Sequence, residues 1–499
     1  MEQIIKDFKS YLEEMRMYHQ AMAVMSFDAN TVAPKAGVAA RAKRNGFFTQ
    51  KVFKMSVSDE MKGFLEALEP VADTLDPTTK AMYRKSKKTY DNNTKIPSEM
   101  VKDFAALTNK ANVAWEEARK NNDYAHFAPY LEEIVKKRKE MLAYRTAPGQ
   151  HPYNVLLDDY EEGMTMKIYD GFFSKLRETI VPLVKAIAGS SKKSDLSFAH
   201  QPVELRKQKA LSTFIADKIG YDTSRGYITE STHPFCSGSH KTDIRITTRY
   251  DENDFLSSFY SVLHECGHAI YEQSTADEIA ETFLSRGTST GIHESQSRFY
   301  ENAIGRSLAF WEYAAEPIKA YLPEGFKDVT PQQFYEAVNQ AAPSLIRVEA
   351  DELTYSLHVM IRYEIECMLF KDEITVADLP AVWNKKYEEY MGITPPSDTL
   401  GVLQDIHWSW GYFGYFPTYS LGSAYACQFE AYIKKEMDFE GLVRKGDFAP
   451  ITAWLTDKIH RHGSIYTPKE LMEQISGEQL NATYYTDYLK KKFEAIYEI

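Results

Sequence analysis

His264-Glu265-Cys266-Gly267-His268 is an H-E-x-x-H pattern. On a helix, imidazoles four residues apart leave the same face one turn apart, so both reach a single cation, and the glutamate between them borders the same cleft. The chemistry such a face supports is hydrolysis at a divalent metal, with two nitrogen ligands of the kind zinc takes and a carboxylate positioned to accept a proton from water. Cys266 is an x position that turns away from both histidines and reads as a packing residue.

A catalytic zinc takes three protein ligands and keeps one position open. An extended metzincin pattern requires Gly and His three and six residues beyond the second histidine; Tyr271 and Ser274 stand there and exclude it. A carboxylate from a following helix is the other common solution, for which Glu272, Asp277, Glu278, Glu281 and Glu294 are candidates. Glu272 is too close, being on the same helix. Asp277, Glu278 and Glu281 follow within a turn or two of the expected helix end and read equally well as solvated charges. Glu294 is preferred on context, because it opens a helical run, residues 293–299, after the turn-like Gly287-Thr288-Ser289-Thr290-Gly291, so that a second helix can lie across the first.

The elements that must hold these residues are legible from periodicity. After Asp254, apolar residues recur at Phe255, Phe259, Val262, Leu263, Cys266 and Ile270, which predicts the helix that carries the motif. Before it, Asp243-Ile244-Arg245-Ile246-Thr247-Thr248-Arg249-Tyr250 alternates and is rich in β-branched residues, so a small sheet is expected between residues 225 and 250. The chain before about residue 220 is helical in pattern, as at Ile5, Phe8, Leu12 and Met15. Breaks are expected at Ala33-Pro34-Lys35-Ala36-Gly37, Ile96-Pro97-Ser98, Pro148-Gly149 and Gly189-Ser190-Ser191. Residues 345–370 read as one long helix and residues 408–422 as an ordered loop between helices. The fold class is mostly α with one β insertion, in a single lobed unit over residues 1–499: a helical lobe to about residue 220 and a catalytic lobe over 221–499.

Composition narrows the function further. A 499-residue chain with 43% apolar and 26% charged residues is globular and can bury a large core. The net charge of -12, with both signs interspersed, offers no long basic stripe for a phosphate backbone, so nucleic acid is not an expected partner. No apolar run reaches the roughly 18 residues of a spanning helix, and the first residues are amphipathic and acidic where a signal peptide is basic and then apolar, so no membrane association is expected. Cys236, Cys266, Cys367 and Cys427 lie far apart without a C-x-x-C pair, which predicts reduced thiols and a cytoplasmic location. Gly411 and Gly414 do not follow a strand in a βαβ unit, which removes a dinucleotide site.

Six short motifs, in one order, resemble the carboxypeptidase Taq family of zinc metallopeptidases. They are His233-Pro234-Phe235, Asp243-Ile244-Arg245-Ile246-Thr247, the H-E-x-x-H, His293-Glu294-Ser295-Gln296, Ile346-Arg347-Val348-Glu349-Ala350-Asp351, and Gly401-Val402-Leu403-Gln404-Asp405-Ile406-His407-Trp408. Asp28, Thr31, Pro34, Gly37 and Arg41 extend the likeness toward the N-terminus, with Phe27 where the family typically has tryptophan, a difference of packing. The resemblance implies an almost wholly helical, gluzincin-type fold with a long active-site groove and the small sheet beside the zinc helix. It also implies a homodimer, one zinc ion per chain replaceable by cobalt or another divalent ion, and release of single C-terminal residues from peptides with a free C-terminus. By this resemblance His264, His268 and Glu294 are the metal ligands and Glu265 the general base.

An exopeptidase of that kind must also recognise a free α-carboxylate, for which a fixed guanidinium is the best match. Arg347 is the candidate, with Asp351 four residues on expected to hold it. The oxyanion of the tetrahedral intermediate needs a donor opposite the metal, and His407, Tyr412, Tyr415 and Tyr419 are available. His407 and Tyr419 are assigned to it, with Tyr415 as second choice. Gly411, Gly414 and Gly422 would let that segment close over substrate. His233, Asp243 and Arg245 are assigned to the lining of the substrate site; a buried polar cluster fixing the sheet is the other reading of the same residues. Two rival functions share the motif: a zinc oligopeptidase or dipeptidyl carboxypeptidase, and a non-catalytic helical interaction protein with a structural metal.

Overall fold

In the computed structural model of the chain, residues 1–192, 194 and 196–499 are described. They form two compact units, each assembled from three stretches of sequence. The first comprises Met1–Asn93, Ser194–Val338 and Phe429–Gln479; the second comprises Thr94–Lys193, Asn339–Gln428 and Leu480–Ile499. Both are mostly helical, and no described helix is long and apolar enough to cross a membrane. All four cysteines are thiols.

The first unit begins with the helix Glu2–Thr31, whose Phe8 and Leu12 are buried with Met61, Leu65, Leu68 and Met82, as their spacing predicts. The helix stops before Pro34, which cannot donate to a helical ladder, and a new one starts at Val38. The expected sheet is present: β1 (Gly226–Glu230), β2 (Cys236–His240) and β3 (Asp243–Thr248), in the order β1-β3-β2. β1 runs parallel to β3, with Gly226 opposite Ile244, and β2 antiparallel, with Cys236 opposite Ile246. The alternation of β3 buries Ile244 and Ile246 on one face and leaves Asp243 and Arg245 together on the other.

β3 packs against the motif helix, Phe255–Gln273, which starts where the Asp254 carboxylate accepts from Ser257 N–H. This helix is apolar nearly all round, with Phe255, Phe259, Val262, Leu263, Cys266 and Ile270 buried. Gly267 explains how a second helix comes so near. A Cβ there would stand 2.4 Å from the Gln296 carbonyl oxygen and 2.7 Å from Ser297 Cα. Only glycine permits Thr290–Arg298 to cross at this point. That crossing helix, capped by Ser289 on Ile292 N–H, continues into a π-helical segment, Phe299–Ile304.

In the second unit, Ser98–Asn121 pairs with Tyr124–Ala143, and Met166–Gly189 with Ala482–Tyr497. Two expectations are corrected here. Residues 345–370 are not one helix: a 3-10 turn, Arg347–Glu349, is followed by extended Ala350, and the helix proper is Tyr355–Phe370. Asp351 causes the interruption, because its carboxylate accepts from the N–H groups of Leu353, Thr354 and Ala342 and from the Thr354 hydroxyl. Residues 408–422 are not one loop either, since a helix, Pro417–Glu436, opens on a proline suited to a first turn and takes in Gly422. Gly411 and Gly414, at φ +70° and +83°, are the two glycines of this segment that use the left-handed region.

Candidate active site

The crossing helices bring three donors to one point. His264 Nε2 and His268 Nε2 lie 3.7 and 3.5 Å from the same Glu294 Oε2, and one ligand atom from each residue falls within 4.8 Å of the others. For ligand bonds of about 2.0–2.1 Å a tetrahedral edge is about 3.3–3.4 Å, so the carboxylate–imidazole separations suit a zinc-sized cation. The remaining atoms are held from behind. His264 Nδ1 is 2.8 Å from Glu301 Oε2, which fixes the ring so that Nε2 faces the other donors. Arg298 Nε donates to Glu294 Oε1 at 2.8 Å, and Ser297 Oγ to Glu294 Oε2 at 3.2 Å. Glu301 in turn accepts from Arg298 at 3.2 Å and Arg306 at 3.3 Å. On the far side, the His268 ring stacks on His293 with centroids 4.3 Å apart, and His293 Nε2 is 3.0 Å from Glu272 Oε1. Glu272, set aside as a ligand, thus supports a neighbour of the site.

The electrostatics favour a cation at this point. Burial opposes charge on His264, yet Glu294, Glu301 and Glu265 raise its pKa to about 9. Burial, then His293, drives His268 down to about 4. Both imidazoles face one Glu294 oxygen, so the pair holds a single positive charge between them, which a metal ion replaces. Burial works against Glu294 as well, but Arg298 and His264 keep it well below the usual carboxylate range and therefore ionised. Glu265, 6% exposed, is pushed up by burial to about 7, with His264 opposing and Glu294 adding to the rise. A carboxyl group that ionises near neutrality suits proton transfer in both directions.

Asp243 and Arg245 also belong to the first unit, where they form a two-pronged pair at 2.7 and 2.8 Å. Ser239 donates to Asp243 at 2.9 Å, and the Arg245 guanidinium lies 5.1 Å from the centre of the Phe27 ring. His233 is exposed in the turn before β2, and its carbonyl accepts from Ser231.

In the second unit Arg347 is 8% exposed, and Asp405, not Asp351, holds it. Its Nε and Nη2 donate to the two Asp405 oxygens at 3.3 and 3.0 Å, and Nη1 to the Tyr355 hydroxyl at 3.1 Å. The guanidinium also lies 5.1 Å from the ring centres of Phe416 and Tyr419. Behind it, wholly buried Arg362 reaches Asp405 at 3.4 Å and Glu366 at 3.7 Å, and Glu366 accepts from Tyr153, Trp408 and Gly414 N–H. His407 stacks on Tyr415, with centroids 5.7 Å apart, and meets Phe416 edge-on. Its Nδ1 is buried without a hydrogen-bond partner among the described residues. Burial, then Arg362, lowers its pKa to about 3, so the ring is neutral. Tyr419 packs edge-on to Tyr415, and burial raises its hydroxyl pKa.

The structure therefore brings together His264, Glu265, His268 and Glu294 in one unit, and Arg347, His407, Tyr415 and Tyr419 in the other. Glu301, Arg298, Arg306, Asp405 and Arg362 went unnoticed in the sequence as supports. Glu301 was findable: with Glu294 and Arg298 it makes an E-x3-R-x2-E face, two turns of one helix.

The profile of the carboxypeptidase Taq (M32) metallopeptidases matches residues 7–493. The chain belongs to this family. It is a metallocarboxypeptidase, and it is similar over nearly its full length to others of that description. Carboxypeptidase 1 of Bacillus subtilis (strain 168) is 43% identical over 99% of this chain and 98% of its own length. Thermostable carboxypeptidase 1 of Thermus thermophilus is 37% identical over 95% of both. The solved carboxypeptidase of Pyrococcus furiosus is 34% identical and superposes with a TM-score of 0.94 over 98% of this chain and 99% of that one. The fold of this metallocarboxypeptidase is thus that of its relatives, and the family implies a divalent metal, for which His264, His268 and Glu294 are the donor set that fits.

Glu301→Ala tests the hydrogen bond behind His264. With the carboxylate gone, the imidazole loses the partner that orients it, and affinity for the cation is expected to fall by about 10–100-fold. Competition with a chelator of known affinity measures it, and an unchanged affinity would mean that packing alone orients the ring.

Proposed function

We propose that this enzyme is a zinc metallocarboxypeptidase that removes single C-terminal residues from peptides, with one zinc per chain held by His264, His268 and Glu294. The observation that carries the reading is the convergence of two imidazoles and a carboxylate beside a buried glutamate whose pKa sits near neutrality. When bound, the cation supplies an electrophile that polarises the scissile carbonyl and makes water more acidic. Glu265 then takes the proton of the attacking water on its carboxylate and passes it to the leaving amine nitrogen, with no covalent intermediate. The donor set also accepts cobalt or another divalent ion.

Arg347 is assigned to the substrate's terminal carboxylate. A guanidinium has five N–H groups, and Asp405 and Tyr355 take three of them, one each from Nε, Nη1 and Nη2. That leaves one on each terminal nitrogen, the edge that grips both oxygens of a carboxylate. The neutral His407 ring, whose Nδ1 has no partner among the described residues, and the Tyr419 hydroxyl are assigned to the oxyanion, with Tyr415 as second choice. Asp243, Arg245 and His233 are assigned to the substrate-site lining. Homodimerisation rests on the family resemblance, and a cytoplasmic location on the spacing of four cysteines.

The test pairs metal analysis with mass spectrometry of an N-blocked peptide digested as the free acid and as the C-terminal amide. The expected result is one zinc per chain and stepwise loss of single residues from the acid alone. Equal turnover of acid and amide, or release of dipeptides, would replace this reading with an oligopeptidase or dipeptidyl carboxypeptidase. Arg347→Ala is expected to lower kcat/KM for the free acid by on the order of 10–100-fold, the loss of a two-pronged charged contact, and to erase the preference for acid over amide.

A further inference from the structure

Arg362 and Glu366 stand one turn apart on the helix Tyr355–Phe370, and both are wholly buried. As an ion pair they are poorly made. Arg362 Nε is 3.7 Å from Glu366 Oε1, beyond hydrogen-bond distance, and Arg362 Nε and Nη2 have no hydrogen-bond partner among the described residues. Taking two charges out of water for so loose a contact costs more than their attraction returns, and an apolar pair would hold this helix at least as well. Helix stability does not explain the pair.

What both side chains touch is one segment of chain. Trp408 Nε1 donates to Glu366 Oε1 at 2.8 Å, and Gly414 N–H donates to Oε2 at 2.7 Å. The Arg362 guanidinium lies between two rings, 4.1 Å from the centre of Trp408 and 4.0 Å from that of Phe416. At Gly414 the fit is exacting: φ is +83°, and a Cβ would stand 2.9 Å from the Leu156 carbonyl carbon, so glycine is needed to deliver this N–H to the carboxylate.

These contacts bracket the groups assigned to the oxyanion. Trp408 directly follows His407, and Gly414 and Phe416 flank Tyr415. Phe416 also meets the His407 ring edge-on at 4.8 Å and the Tyr419 ring at 5.7 Å. Each of the three groups is thus a neighbour, in sequence or by ring contact, of a residue that Arg362 or Glu366 holds.

We propose that Arg362 and Glu366 are positioning residues for the transition state, a buried polar template that fixes residues 407–416 and so preorganises His407, Tyr415 and, through Phe416, Tyr419. The proposal rests on the oxyanion assignment above and adds the residues that the assignment depends on. A donor stabilises developing charge only where it already points at it, and a displacement of about 1 Å can cost about 100-fold in rate. A carboxylate that accepts from fixed donors imposes one arrangement, which apolar packing alone does not demand.

The test measures the inhibition constant of a phosphinic dipeptide analogue, whose tetrahedral anion mimics the intermediate, beside kcat and KM for a free-acid peptide on metal-loaded enzyme. Trp408→Phe removes the N–H that meets Glu366 and keeps a ring over Arg362. It is expected to raise the inhibition constant and lower kcat by about 10–100-fold while KM stays within about twofold, the pattern of an interaction made only in the transition state. Glu366→Gln approaches the same bond from the acceptor side, so the measurement survives if one of the two variants does not fold. Tyr124→Phe controls for destabilisation alone. It removes a buried hydrogen bond of the same unit, from the Tyr124 hydroxyl to the Val376 carbonyl, and is expected to lower the melting temperature with all three constants unchanged. An inhibition constant that Trp408→Phe and Glu366→Gln leave unchanged, while His407→Ala raises it, overturns the template and leaves the oxyanion assignment standing. A rise in KM equal to that in the inhibition constant overturns it too, because the pair then serves ground-state binding. Unchanged affinity for the analogue in both His407→Ala and Tyr419→Phe defeats the oxyanion assignment itself.

Discussion

Glu265→Gln is expected to leave the cation in place and lower kcat by about 10²–10⁴-fold, the range of a positioned acid-base group. At 1.36 kcal/mol per decade this is roughly 3–5 kcal/mol of barrier. The ligand set is untouched, because Glu265 is not among the three converging donors, so metal content should remain at the wild-type level. Lost metal would make the residue a ligand or a structural prop, and retained activity would put the proton transfer elsewhere. The substitution should also not unfold the enzyme. Burial raises the Glu265 pKa from 4.5 to about 7, so the folded state binds this proton more tightly than the unfolded state. Between those two pH values the group's contribution to stability therefore falls as pH rises. The amide does not titrate, so metal-stripped Glu265→Gln should lose less stability than metal-stripped wild type between about pH 4.5 and 7, measurable by denaturant unfolding at successive pH values.

What was legible in the sequence depended on the range of the interaction. His264 and His268 are four residues apart on one helix, so spacing alone put them on one face, and the alternation of β3 likewise put Asp243 beside Arg245. The chemistry of the x position before His268 was not readable, because Gly267 is explained only by the Gln296 backbone that crosses it. Turn context favours Glu294, while the role of Glu301, one helical face further on, follows only from the orientation of the His264 ring. Asp351 shows how local chemistry overrides period. Apolar spacing runs through residues 345–370, yet a carboxylate that accepts from Leu353 and Thr354 N–H starts the helix afresh. The same error mispaired Arg347 with a residue four positions away, when its partner is 58 residues on.

That distant partner makes Asp405→Asn the substitution with the largest expected effect on stability. Asp405 is the carboxylate between two guanidinium groups: Arg347 at 3.0 and 3.3 Å and Arg362 at 3.4 Å, with side-chain exposures of 8, 9 and 0% for Asp405, Arg347 and Arg362. Burial alone would raise the Asp405 pKa, and the two arginines reverse the sign and keep it ionised. Asparagine keeps the shape but removes the charge, so two buried cations then face each other. Glu366 faces only Arg362, at 3.7 Å, and its oxygens already accept from Tyr153, Trp408 and Gly414 N–H, so Arg347 is the guanidinium left without its carboxylate. Stranding a buried charge costs about 3–5 kcal/mol, which denaturant unfolding should register. If the cost comes from the unpaired cation and not from lost packing, Asp405→Asn combined with Arg347→Met should recover much of the stability while leaving free-acid turnover impaired, since the carboxylate anchor is then absent. In the single variant Arg347 persists but loses its two-pronged mooring, so KM for the free acid should rise more than the inhibition constant of the amide. Equal changes for both would mean that Asp405 supports the fold without orienting Arg347.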